Sequence, residues 1–174
     1  MSRALPNSFF NRSAVVVARD LIGCSLVRHL RNRTLRLLIT ETEAYEGPHD
    51  RASHASRGRT KRNAVMFGKA GVFYVYFVYG MHWMLNVVTG KEGYPAAVLI
   101  RGVEGINGPA RVTKKLSITG AFTGKPVNRK TGLWFEGREK ILSRHIAKTA
   151  RIGVAYAGPV WSKKQYRFVL KEEP

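Results

Sequence analysis

Apolar positions recur along this chain with two periods. Around residues 13–23 the spacing is helical: Ala14, Val17, Ala18 and Leu21 fall on one face, Ser13 stands where a helix cap would, and Gly23 is a natural stop. The consecutive Val15, Val16 and Val17 weaken a helix, so period rather than propensity carries that assignment. Residues 26–30 and 35–45 read as strands, with Arg31, Asn32, Arg33 and Thr34 between them as a hairpin turn. Residues 72–79, 85–89 and 96–103 are further strands rich in β-branched and aromatic side chains, and 151–154 and 166–171 are the last candidates. Pro109 at a first helical position opens a short helix through Leu116, which Gly120 could close. Residues 46–63 are polar, contain Gly47, Pro48 and Gly58, and form a long loop of the kind that carries function, whereas 121–144 offers only short segments. The pattern predicts an α+β fold: a single domain over residues 1–174, built on a curved, mostly antiparallel β-sheet flanked by short helices.

One stretch tests that reading. Residues 70–90 contain no Lys, Arg, Asp or Glu, which is long enough to suggest a membrane span. Tyr74, Tyr76, Tyr79, His82, Trp83 and Asn86 lie through its middle, where hydrocarbon would leave their polar groups unpaired, so two strands joined by a turn explain it better and no membrane partner is expected. Cys24 is the only cysteine, which excludes an intrachain disulfide and any Cys-x-x-Cys site, and the first ten residues carry no secretory pattern. A cytoplasmic location is expected, nucleoid-associated if the source is bacterial.

Charge changes the picture most. Thirty basic residues against 11 acidic ones give a formal charge of +19, divided as +8 over residues 1–87 and +11 over 88–174. The charge therefore belongs to the folded body, and such a surface seeks polyanions, with steep salt dependence. The scarce acids are clustered: Glu41, Glu43, Glu46 and Asp50 fall within ten residues, and Glu41, Glu43 and Tyr45 share one strand face. A carboxylate beside an aromatic ring at the end of an apolar strand suits a general base for water attack on a nucleic acid, although surface arginines could simply pair with it. His49 and His54 flank Asp50, but their spacing fits no helical ligand pattern and no metal is expected. Tyr74 and Tyr76 face one way in their strand, with Phe73, Val75 and Phe77 turned to the core, and tyrosines near Gly80 could stack on unpaired bases. Lys69 reads as a phosphate contact rather than a nucleophile.

These residues line up with a family. Glu41-Thr42-Glu43-Ala44-Tyr45-Glu46-Gly47-Pro48, Ala52-Ser53-His54, Arg62-Asn63, Met66-Phe67-Gly68, and Tyr74-Val75-Tyr76 through Tyr79-Gly80-Met81 to Asn86 follow in order. Val98-Leu99-Ile100-Arg101, Asn107-Gly108-Pro109-Ala110-Arg111 and a weaker echo in Arg151-Ile152-Gly153-Val154 and Tyr166-Arg167-Phe168 extend the match over nearly the whole chain. The sequence resembles the alkyladenine (3-methyladenine) DNA glycosylases. The resemblance implies a monofunctional base-excision-repair enzyme that flips alkylated or deaminated purines (3-methyladenine, 7-methylguanine, hypoxanthine, ethenoadenine) from double-stranded DNA and hydrolyses the N-glycosidic bond, with no cofactor. It implies that Glu43 activates the water and Arg101 helps position it, that Tyr45, His54, Tyr76, Asn86 and Leu99 form the base pocket, and that Asn86 excludes the guanine amine. Tyr79 and Met81 would enter the duplex, and a backbone carbonyl between Ile152 and Val154 would touch the water. Arg57, Arg59, Lys61 and Arg62 are candidate phosphate contacts, and a monomer is the default. Residues 154–159 lack the acids expected of the family there, and Ala70 stands where proline is common. The rival from another class is a non-catalytic basic nucleic-acid-binding protein.

Overall fold

The computed structural model of the protein describes residues 3–138 and 141–171. In chain order the elements are α1 (Asn7–Phe10), α2 (Ala14–Leu21), β1 (Ser25–Leu30), β2 (Arg33–Glu46), β3 (Phe73–Val78), β4 (His82–Val88), β5 (Ala96–Val103), β6 (Ile106–Asn107), α3 (Pro109–Lys115), β7 (Leu133–Glu136), β8 (Ile146–Thr149), α4 (Gly158–Trp161) and β9 (Arg167–Leu170). Short 3-10 turns punctuate the connections, among them His54–Arg57 and Ala64–Phe67. The fold is α+β, with a curled antiparallel sheet and a few short helices.

Among the described residues the main path of the sheet runs β3-β4-β5-β2-β1-β7, with β6 added to β5, β9 to β2 and β8 to β9, and each pairing is antiparallel. β2 is the spine. Its 14 residues exceed what one neighbour can cover, so its first half pairs with β1 and its second half lies between β5 and β9. α2 closes the concave side. Ala14, Val17, Ala18 and Leu21 are all buried, as the helical spacing predicts, and burying Val17 and Leu21 contributes about 1.5–3 kcal/mol each. The one polar group pushed toward them from β2, the Thr42 hydroxyl, donates to the Ala18 carbonyl at 2.8 Å. Ser13 does not cap its own helix. Glu46 reaches over from the end of β2, accepting from Ser13 Oγ (2.7 Å) and from the Val15 amide (3.1 Å), so an acidic group neutralises the positive helix end.

Several expectations need correction. The turn between β1 and β2 is tighter than predicted: Leu30 pairs with Arg33, so Arg33 and Thr34 are strand and Arg31 takes the strained φ of 34°. β4 begins at His82 rather than Leu85, because the charge-free stretch is one continuous hairpin with β3. No helix of the described residues is long and apolar enough to cross a membrane. α3 is closed by Ser117 in the left-handed region (φ 50°), not by Gly120, which starts the next 3-10 turn. Within 121–144 the four residues of β7 hydrogen-bond β1 and carry the sheet to its edge, while positions 139 and 140 lie outside the described residues.

Two errors bear on the site. Residues 151–154 are not a strand; the strand lies earlier, at β8, and pairs with β9. Arg151 is drawn inward by a carboxylate, and Gly153 (φ 74°) bends the chain, so this segment cannot extend a ladder. Phe77 is 44% exposed rather than core: it shares the face of Phe73 and Val75, but it lies near the hairpin tip, where its ring meets the Trp83 ring opposite at 4.6 Å.

Candidate active site

Directly opposed residues on antiparallel strands project from the same face. The register therefore draws one row across four strands and a fifth: Tyr74 (β3) opposes Asn86 (β4), Asn86 opposes Leu99 (β5), Leu99 opposes Glu43 (β2), and Glu43 opposes Arg167 (β9). Tyr45 and Tyr76, two residues further along their strands, stand on the same side. A carboxylate, an amide and three phenols are thus gathered by strand alternation alone.

Glu43 is fully buried, and each of its oxygens is engaged. Oε1 accepts from the Ile152 amide at 2.7 Å and lies 3.5 Å from Arg101 Nε; Oε2 accepts from the Tyr45 hydroxyl at 2.8 Å. Burial pushes the Glu43 carboxyl above the usual carboxylate range, and the Arg101 charge, the Ile152 amide and the Tyr45 hydroxyl each pull it back down. Residue 152 thus meets the carboxylate through a donating backbone amide. Tyr45 and Tyr76 are kept protonated by burial, so the Tyr45 phenol remains a donor to Glu43.

Arg101, two residues after Leu99, faces the two carboxylates by ordinary strand alternation, and an irregularity adjoins it. Between Ile39 and Thr42 the β2–β5 ladder slips twice: Glu41 opposes Gly102 and Thr42 opposes Ile100, so Thr40 and Arg101 have no opposite number. The unpaired Arg101 turns toward the two carboxylates, donating from Nε to Glu41 Oε1 at 2.8 Å. Arg167 Nε donates to the same oxygen at 2.6 Å.

Asp50 goes to a different partner. It forms a fully buried two-pronged ion pair with Arg151 (2.5 and 2.8 Å), and the same guanidinium donates to the Ala44 carbonyl and lies 4.9 Å from the centre of the Tyr45 ring. The pair ties the 46–63 loop to the 151–161 segment, and Ala52, Val154 and Ala157 pack beneath Tyr45 and Trp161. Among the described residues no three His, Cys, Asp or Glu side chains assemble as a metal cluster.

A small pocket, about 40 Å³ of cavity volume, opens beside Tyr45, the phenol that donates to Glu43. Of the expected wall residues Tyr45, His54, Tyr76 and Asn86 line it, joined by Tyr74 and Tyr156, which sequence reasoning did not place there. Leu99 does not line it; it is buried in the row between Asn86 and Glu43 and holds them apart. His54 is specified completely. Its Nε2 faces the Arg62 guanidinium at 3.1 Å, which can only donate, so Nε2 accepts and the proton sits on Nδ1, bonded to the Tyr74 hydroxyl at 3.0 Å. Burial and then the Arg62 charge lower the His54 pKa to about 4, so the ring is neutral. Asn86 spends both amide protons on main-chain carbonyls of Tyr74 (3.1 Å) and Met84 (3.3 Å) and cannot swing away.

The β3–β4 hairpin continues past the pocket residues Tyr74, Tyr76 and Asn86 to its tip. Tyr79 (φ 52°) and Gly80 (φ 66°) form the two left-handed positions of a turn closed by the Met81 amide on the Val78 carbonyl. A tyrosine at φ > 0 costs roughly 1 kcal/mol, and the return is display: Tyr79 is 87% exposed, with Met81 exposed beside it. Arg57, Arg59, Lys61 and Arg62 are all exposed, Arg59 over the Phe67 ring and Arg62 over Tyr76.

The sequence matches the methylpurine-DNA glycosylase profile over residues 8–107 and 104–174. The chain belongs to the methylpurine-DNA glycosylase family. A protein of Methanocella arvoryzae is 42% identical, covering 98% of this chain and 94% of its own length, and one of Myxococcus xanthus is 41% identical, covering 97% and 90%. A third, from Legionella pneumophila (strain Corby), is 39% identical over 99% and 97% of the two chains. All three carry 3-methyladenine DNA glycosylase as a provisional name. Family membership makes this chain a monofunctional DNA glycosylase of base excision repair, which decides between the enzyme and the plain basic binder. Arg151 and Arg167 beside the carboxylates, and Tyr74 and Tyr156 in the pocket wall, are the site residues whose roles sequence reasoning passed over. The first two stand inside the weak C-terminal echo of the family pattern, which was the available signal.

Proposed function

We propose that this glycosylase excises alkylated or deaminated purines, including 3-methyladenine, 7-methylguanine, hypoxanthine and ethenoadenine, from duplex DNA with a water activated by Glu43. The observation that carries the reading is a fully buried carboxylate in a chain of charge +19, set behind the aromatic pocket through the Tyr45 hydroxyl. The flipped base enters between Tyr45 on one side and His54 and Tyr76 on the other, with Asn86 at the floor, immovable and therefore excluding by volume the exocyclic amine of guanine. Electron-rich rings favour the cation that alkylation at N3 or N7 creates, by about 0.5–2 kcal/mol. As the base departs, charge develops on the sugar, and the Glu43 carboxylate stabilises it while accepting the proton of the attacking water. Oε2 keeps a second lone pair beyond the Tyr45 hydroxyl for that water, and Arg101, 3.5 Å from Oε1, holds the neighbouring oxygen side. Tyr79 and Met81 fill the gap left in the stack. Arg57, Arg59, Lys61 and Arg62 bind the phosphates, the enzyme acts as a monomer, and its place is the cytoplasm, on the nucleoid in a bacterium.

The test is single-turnover treatment of duplexes holding one hypoxanthine or one ethenoadenine, followed by alkali, with Glu43→Gln in parallel. Alkali-dependent cutting by the wild type and a loss of at least about 100-fold in Glu43→Gln is expected. Glu43→Gln cutting at the wild-type rate would remove Glu43 from the chemistry.

A further inference from the structure

Glu41 is the acid that the proposed reaction leaves without a task. It stands two residues before Glu43 on β2, is buried, and gathers two guanidinium groups on a single oxygen: Arg101 Nε at 2.8 Å and Arg167 Nε at 2.6 Å. Space is kept for it. A Cβ on Gly102, the residue opposite, would stand 3.0 Å from Glu41 Cβ, 3.1 Å from Thr40 Oγ1 and 3.4 Å from Glu41 Oε2, so a side chain there would press on the stem of Glu41. Arg101 shares the face of Leu99 on β5 and has no residue opposite it across the adjoining bulge. Its Nε faces two carboxylate oxygens, Glu41 Oε1 at 2.8 Å and Glu43 Oε1 at 3.5 Å, and a single N–H points best at one of them.

We infer that Glu41 is a positioning residue: it holds Arg101 in hydrogen-bond contact with itself and so keeps that guanidinium near, but not clasped to, the Glu43 carboxylate. Arg167 is its counterweight, anchored in turn to the Thr149 hydroxyl at 3.1 Å, and it compensates the second negative charge. Without Glu41, Arg101 has one carboxylate left to pair with. A full Arg101–Glu43 pair would occupy lone pairs that the water needs and would stabilise the ionised, less basic carboxylate. The groups facing Glu43 are Arg101 from β5, Arg167 opposite it on β9, the phenols of Tyr45, Tyr76 and Tyr156, and the Ile152 amide and Arg151 from the C-terminal segment; of the cations Glu41 holds, Arg101 is the one within 3.5 Å of Glu43.

This inference rests on Glu43 being the base, and the experiment separates the two. Single-turnover excision of hypoxanthine is followed from pH 5 to 9 for wild type, Glu43→Gln, Glu41→Gln and Arg167→Gln, with duplex affinity measured beside it. In Glu41→Gln the acidic limb of the rate profile should move down by about one pH unit and the plateau rate should fall about 10- to 100-fold, with affinity for damaged duplex within about twofold of wild type. Arg167→Gln leaves Arg101 on Glu41 and should not lower the limb; Glu41→Asp should recover part of the plateau. If Glu41→Gln does not fold, Glu41→Asp, whose carboxylate is drawn back one methylene from Arg101, should show a smaller shift in the same downward direction. An unmoved limb in Glu41→Gln, or the same downward shift in Arg167→Gln, would overturn the positioning role. Full activity of Glu43→Gln would instead overturn the base assignment beneath it.

Discussion

Removing one oxygen pair from the centre of the molecule should cost as much as a large core truncation. In Asp50→Ala the Arg151 guanidinium keeps the Ala44 and Trp161 carbonyls but loses both carboxylate contacts, and its Nε has no partner even in the wild type. A buried cation is thereby stranded, and breaking a buried pair from one side costs about 3–5 kcal/mol. Two further donors are orphaned, because Asp50 also accepts from the Glu46 and Ala52 amides at 3.0 and 3.1 Å. For a chain of this size about 2–4 °C of melting temperature goes with each kcal/mol, so a fall of roughly 6–20 °C is expected by calorimetry. Removing the charge from the other side as well should recover much of it: Asp50→Ala combined with Arg151→Met buries no ion, and the two substitutions should couple by more than about 1 kcal/mol. The loss reaches the chemistry, since the clamp carries the Ile152 amide that donates to Glu43. A melting temperature within about 2 °C of wild type for Asp50→Ala, or additive effects in the double variant, would refute the claim that this pair holds the loop to the C-terminal segment.

Three further outcomes follow from individual contacts. Tyr45→Phe removes a donor to the charged form of Glu43, a hydrogen bond of about 1.5–3 kcal/mol, so the acidic limb of the excision rate should rise by about one to two pH units; a limb at its wild-type position would mean that the hydroxyl is not bonded to the catalytic form. His54, neutral with a pKa of about 4 against 6.5 when unfolded, should titrate near 4 by NMR; because the unfolded chain takes up that proton first, its contribution to stability is full above pH 6.5 and fades as pH falls toward 4, and titration near 6.5 in the folded protein would contradict the Arg62 contact. Tyr79→Gly should act in opposite directions, stabilising the hairpin by up to about 1 kcal/mol through relief of the φ of 52° while lowering excision from duplex DNA at least tenfold; a variant as active as wild type would deny the side chain its role as a wedge.

What could be read from the sequence, and what could not, divides along a physical line. Alternation along single strands places Tyr74 with Tyr76 and Glu43 with Tyr45, because a side-chain period of two needs no knowledge of the partner strand. The same rule put Phe77 with Phe73 correctly and its burial wrongly: period fixes the face but not which positions of the hairpin reach the core. The helix at Ala14–Leu21 and the strand at Ala96–Val103 were legible for the same local reason. Two long-range ion pairs around the site were not. Asp50 and Arg151 are 101 residues apart, and Glu41 and Arg167 are 126 apart. A Coulomb pair leaves no period in either segment, and residues 151–154 looked like a strand because apolar Ile152 and Val154 alternate there while the Arg151 side chain and the Ile152 amide are spent on acids elsewhere. The slipped register that leaves Arg101 without an opposite residue belongs to two strands at once and is written in neither. Tyr45, Tyr74, Tyr76 and Asn86 thus reach the pocket by strand alternation, whereas His54, Tyr156 and the Ile152 and Arg151 contributions to Glu43 depend on where distant loops close. Substitutions of Asp50 or Arg151, neither of which lines the pocket, should therefore move the pH profile of this glycosylase before they change the bases its pocket accepts.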